Sequence, residues 1–106
     1  ESFDTEARDL RAFLVENDMI VITGDRHWQY VSVHDETGLR EYATGAASDA
    51  HAGTWTQGDV RPEHLYVNVI GGFLSVTAER VDGLPTLTLR NHHVDGEVLF
   101  EDRLIR

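Results

Sequence analysis

Two Asp-Gly pairs, Asp82-Gly83 and Asp95-Gly96, constrain this chain more than any other feature. Each falls between runs in which apolar and polar residues alternate, the period of a strand with one covered face. Leu65 to Ile70 reads as a strand, and Gly71-Gly72 as a bend or bulge. Phe73 to Val81 is a half-covered strand, with Leu74, Val76 and Ala78 opposed to Ser75, Thr77 and Glu79. Asp82-Gly83-Leu84-Pro85 turns the chain into Thr86 to His93. Asp95-Gly96 is the two-residue signal for a type I′ hairpin into Glu97 to Ile105, whose inner face Val98, Phe100 and Leu104 mark. The C-terminal part is therefore predicted to be an antiparallel meander.

The N-terminal part has a different period. Phe3, Ala7, Leu10 and Leu14 recur at one-turn spacing and predict a helix over Ser2 to Asn17, with Asp4 or Thr5 as its cap. Met19 to Thr23 follows as an uninterrupted apolar run, the pattern of a strand covered on both faces. Trp28 to Val33 alternates, with Trp28, Tyr30 and Ser32 on one side and Gln29, Val31 and Val33 on the other. Asp35 to Gly38 is a turn, and Leu39 to Ala43 a returning strand. From Thr44 to about His64 the chain is small and polar, a long loop of the kind that is usually functional or mobile. The reading is α+β: one N-terminal helix and a buried strand followed by an antiparallel β-meander, in one domain over 1–106.

Charge narrows the partners. Nineteen acids face nine bases, all arginine, for a formal net charge of −10. Such a surface repels phosphate backbones, so nucleic-acid binding is not expected. No apolar run reaches membrane-spanning length. Without cysteine there is no disulfide, thiolate nucleophile or thiolate metal site. The serines lack the Gly-x-Ser-x-Gly elbow of an activated nucleophile.

The sharpest local pattern is Thr23-Gly24-Asp25-Arg26-His27-Trp28, placed where a buried strand ends and open α/β sheets hold ligands. Asp25 and His27 are two apart, so in extended backbone both project to one side. A carboxylate with an imidazole suits divalent or trivalent metal ions. The plainer reading makes Asp25 a turn cap and His27 a surface residue. Arg26 and Arg61 are candidates for holding a phosphate, or else solvated cations. In the long loop, Asp49 and His51 repeat the acid–histidine spacing. They read either as groups that orient a ligand or contact substrate, or as an Asx-turn beside a packing anchor at Trp55. His92-His93 lies on a strand, where neighbours face opposite ways and cannot share an ion, so the pair reads as structural. His34 and His64 read as solvated.

Through Val21 to Tyr30, Gly45 to Trp55 with its Ser48-Asp49-Ala50-His51-Ala52-Gly53 core, Gly72 to Arg80 and the hairpin at Asp95-Gly96, the chain resembles the C-terminal part of the PhoD-like alkaline phosphatases. These are a branch of the calcineurin-like metallophosphoesterases. The resemblance implies a piece of a two-sheet sandwich and a two-metal phosphatase that hydrolyses phosphoesters by metal-activated water. It assigns His27 to one metal and Asp25 to the other, with calcium and iron as the expected ions; Arg26, Asp49 and His51 remain the candidates for contacting substrate or orienting those ligands. It also implies export to an extracellular or periplasmic location. The family's earlier Asp-rich and Asn-His motifs have no counterpart here, so the chain is expected to be a fragment, inactive alone and prone to self-association. The alternative is a non-catalytic β-rich binding or interaction module.

Overall fold

The structure, a computed structural model, describes residues 2–106. Its architecture is α+β: one helix followed by two sheets, one mixed and one an antiparallel meander. Helix α1 (Ser2–Glu16) ends in a Schellman motif. Asp18 takes the left-handed conformation at φ 56°, its amide reaches Val15 O, and the Met19 amide reaches Leu14 O. Asn17 Nδ2 donates to Phe13 O, and Arg106 pairs with Asp18, tying the helix end to the C-terminus.

Strands β1 (Val21–Thr23), β2 (Gln29–Val33), β3 (Arg40–Thr44) and β4 (His64–Asn68) form the mixed sheet in the order β1-β3-β2-β4. Strand β1 runs parallel to β3, and the other pairs are antiparallel. The expected doubly covered strand at Met19 to Thr23 is thus corrected. It shrinks to three residues at the sheet's edge, with Met19 and Ile22 each about half exposed at 49% and 51%. One flank pairs with β3 and no described strand pairs with the other, so the apolar run lacks the neighbour that would bury it. The helix does not supply that cover. Ala7 and Leu14 are half-buried and line, with exposed Leu10, a cleft of about 960 Å³ between α1 and the sheet, while Phe3 and Phe13 are exposed outside it.

Strands β5 (Gly72–Val81), β6 (Leu84–His93) and β7 (Val98–Ile105) make the meander, in sequence order. The two Asp-Gly pairs exchange expected roles. Asp82 and Gly83 have consecutive positive φ values, 52° and 80°, so the two-residue turn with type I′ character is here. At the other hairpin the Gly96 amide returns to His93 O and the His93 amide to Glu97 O, while only Gly96 has positive φ. That loop has three residues, Val94 to Gly96, built as a type I turn closed by a left-handed glycine. A bulge at Asn91/His92 interrupts the alternation, leaving Val98 paired with His92 and exposed instead of inside.

The sheets meet through the alternation the sequence carries. Val31 and Tyr42 from the mixed sheet pack on Leu89 and Leu104 of the meander, with Leu74, Leu87 and Phe100 around them. Polar groups lock this interface. Tyr42 Oη donates to Asp102 Oδ2 at 2.7 Å, beside the Arg40–Asp102 pair at 2.9 Å. Buried Gln29 accepts from Tyr66 Oη and donates to His92 O. Asn91 Nδ2 donates to Ala43 O. The opposite side of β2 holds a second core of Trp28, Tyr30 and Ala43, which the long loop covers with Trp55.

The double glycine is the joint between the sheets. A Cβ on Gly71 would lie 2.3 Å from the Ser48 carbonyl carbon, and one on Gly72 only 1.7 Å from His92 O. Only hydrogen allows the three backbones to approach this closely.

Candidate functional site

The β1∥β3 pair is the molecule's one parallel pairing among the described residues, and its carboxyl ends carry the two candidate segments. After Thr23 the chain passes Gly24, which lies beside Thr44 Oγ1, and runs through Asp25 to Trp28. After Thr44 it enters the long loop. The two segments meet again where the Gly53 amide donates to His27 O at 2.9 Å.

Asp25, Arg26, His27, Trp28 and Thr54 line one open depression of about 310 Å³. Asp25, Arg26 and His27 are exposed, and Trp28 is buried beneath them. Neither the Asp25 carboxylate nor the His27 imidazole makes a hydrogen bond or ion pair among the described residues. The structure therefore brings together the pair singled out by sequence and leaves both donor groups open. The Arg26 guanidinium lies over the Trp28 ring, 5.4 Å from its centroid, a cation–π contact that restrains its stem.

Trp55 fixes the loop behind this depression. It stacks on Trp28 with ring centroids 5.1 Å apart, donates Nε1–H to Asp59 O at 2.9 Å, and carries Arg61 on its other face at 4.6 Å. Arg61 is thereby committed to Trp55 and to Asp59, not to the depression. His64 is half-buried against Trp55 and Tyr30, and its Nδ1 accepts the Arg61 amide. His34 accepts the Thr37 amide inside its turn. Both histidines read as solvated are instead turn and packing elements, because each closes a tight loop with its ring nitrogen.

Asp49 and His51 sit on a short 3₁₀ turn (Asp49–His51), and neither lines the depression. His51 Nδ1 is 2.7 Å from Ser48 Oγ, a local contact. Asp49 has a long-range task. Its Oδ1 accepts the Gly71 amide at 2.9 Å, and both its oxygens lie 3.1–3.2 Å from His93 Nε2. The Gly71 amide first, and His93 second, hold this exposed carboxyl below its ordinary value.

His92 and His93 behave differently from each other. His92 stacks on Phe73 and pairs Nε2 with Ser75 Oγ and Nδ1 with Gly96 O, a structural role. His93 belongs to a group that sequence reading passed over: His93, Asp95 and Glu97, whose ligand-type atoms all lie within 4.8 Å of one another. The signal was present as the spacing His-x-Asp-x-Glu across an Asp-Gly turn. A two-residue turn would have kept these side chains on opposite faces, and only the three-residue loop brings them to one side.

No described helix is long and apolar enough to cross a membrane. No family model, curated protein or solved structure matches the chain.

Proposed function

We propose that this chain contributes one edge of a metal-dependent phosphoester-hydrolysing site. Asp25 and His27 each offer a ligand to ions held jointly with groups outside the polypeptide. The observation that carries this reading is the pairing itself: an unengaged carboxylate and an unengaged imidazole lining one depression past a parallel strand end. Oxygen with nitrogen donors fits calcium, iron or a similar hard or borderline ion, although two donors are fewer than a closed or catalytic centre needs. Bound there, paired ions would activate water and neutralise charge on the phosphoester.

The chain's own contribution is positional. Gly24 turns the backbone beside Thr44, and the Gly53 amide fixes the carbonyl of His27. Arg26, restrained on Trp28, is placed to take a phosphate oxygen by charge-assisted hydrogen bonds. Resemblance to the PhoD-like phosphatases supports the same assignment, and with it a larger parent, a phosphoester substrate and an exported location.

The test is a Mn²⁺ titration of the ¹⁵N-labelled chain. Paramagnetic broadening centred on Gly24 to Trp28, abolished by Asp25→Asn with His27→Gln, is the expected result. No broadening there at millimolar Mn²⁺, or broadening unchanged in the double variant, would contradict the reading. The chain alone is also expected to show no metal-dependent turnover of nitrophenyl phosphate.

A second reading, a non-catalytic interaction module, draws on the exposed apolar residues Phe3, Leu10 and Phe13 of α1, of which Leu10 lines the cleft under the helix. Partner binding that survives loss of Asp25 and His27 would favour it.

A further inference from the structure

A second metal site, independent of Asp25 and His27, emerges from the hairpin between β6 and β7. The Asp49 carboxylate can only accept hydrogen bonds, and both its oxygens face His93 Nε2, so that nitrogen carries the proton. In a neutral imidazole the remaining nitrogen, Nδ1, is then a lone pair. It faces Asp95 Oδ1 at 3.7 Å, too far for a hydrogen bond. Glu97 brings another carboxylate into the same group. Three electron-rich groups thus lie within 4.8 Å of one another, an arrangement that a bound cation would neutralise.

The spacing of His93 and Asp95 suits a cation. Ligands of a six-coordinate ion at about 2.1 Å stand about 3.0 to 4.2 Å apart, a range that includes the 3.7 Å separation of His93 and Asp95. Glu97 is exposed and free to rotate inward, whereas Asp95 is held by accepting the Glu97 amide at 2.8 Å. The distinguishing feature is Asp49, which reaches His93 from a loop 44 residues earlier in the chain. A carboxylate on the far ring nitrogen fixes tautomer and ring orientation in metal-ligating histidines. Asp49 is itself anchored by the Gly71 amide at the glycine joint, where no larger residue fits.

We infer that His93 Nδ1, Asp95 and Glu97 bind a divalent transition ion such as Zn²⁺, with Asp49 as the residue that positions His93. Imidazole nitrogen with two carboxylates suits Zn²⁺ or Mn²⁺ better than Ca²⁺, which prefers oxygen alone. Water completes the shell, since the hairpin is open to solvent. Bound there, the ion would clamp the loop at Asp49 and the β6–β7 hairpin together, next to the joint of the two sheets.

The experiment is a Zn²⁺ titration of the full chain carrying Asp25→Asn and His27→Gln, read by NMR shifts and calorimetry. The first proposed site is thereby removed, and its failure is separable from this one. One equivalent of Zn²⁺ should bind, with shifts confined to Asp49, Gly71 and residues 93–98. Glu97→Gln, a change at an exposed side chain, should weaken binding at least tenfold, and Asp49→Asn should weaken it about 10–100-fold. Long-range ¹⁵N spectra should show protonated Nε2 and metal-shifted Nδ1 on His93. Absence of shifts at 93–98, affinity unchanged by Glu97→Gln, or a second proton on Nδ1 that Zn²⁺ does not displace would overturn the assignment.

Discussion

Replacing Tyr42 with phenylalanine removes one oxygen from the centre of the molecule and tests how the two sheets are held together. Tyr42 is fully buried on β3, and its hydroxyl donates to Asp102 on β7, which also receives Arg40. Phenylalanine keeps the ring and its packing against Val31, Leu89 and Leu104, so no cavity of consequence opens. The loss is one hydrogen bond to a charged acceptor, worth about 1.5–3 kcal/mol. Asp102, only 17% exposed, recovers little of it from water. Unfolding entropy for 106 residues is about 0.22 kcal/mol/K, so a loss of about 2 kcal/mol lowers Tm by about 9 °C. Arg40→Gln removes a contact to the same oxygen, so the two changes should be non-additive by at least about 0.5 kcal/mol. Thermal unfolding followed by circular dichroism measures both. A Tm within about 2 °C of the parent, or strict additivity with Arg40→Gln, would refute the claim that this acid joins the sheets.

Three further outcomes follow from other parts of the structure. Gly72→Ala places a methyl group against His92 O and Gln29 Nε2, and overpacking of a backbone joint should cost about 3 kcal/mol, measurable by urea unfolding. All three tyrosines have pKa values pushed upward, by burial first and for Tyr30 and Tyr42 also by Glu41 and Asp102. The folded state thus holds these protons more tightly, so stability present below the unfolded value of about 10 is lost as pH rises above it. Tyrosinate absorbance should appear together with unfolding; smooth ionisation of a folded chain would contradict it. Finally, the unpaired flank of β1 and half-exposed Ile22 should drive self-association at high concentration, and a monodisperse monomer by light scattering would contradict that.

Much of the fold was legible because it depends on local rules. Alternation placed Trp28 and Tyr30 on one side of β2 and Val31 on the other, and the structure keeps that division in two separate cores. Burial was harder to read, because an apolar run records what a strand can bury and not which neighbours it has. Met19 to Thr23 is the example: its composition suits a central strand, yet its pairing makes it an edge. Turn type also escaped, since Asp-Gly serves a two-residue turn at Asp82 and a three-residue loop at Asp95. At the candidate site, adjacent residues Asp25 to His27 were visible because they are contiguous. The link between Asp49 and His93 was not, because only the close approach at Gly71-Gly72 brings those distant segments together.

The central claim concerns Asp25 and His27, and site-resolved Mn²⁺ broadening addresses it most directly. Selective loss of the Gly24 to Trp28 amide signals in the parent chain, restored when both donors are replaced, is the outcome foreseen. Signals there that stay sharp at millimolar Mn²⁺, while other regions broaden, would mean that this strand end holds no metal.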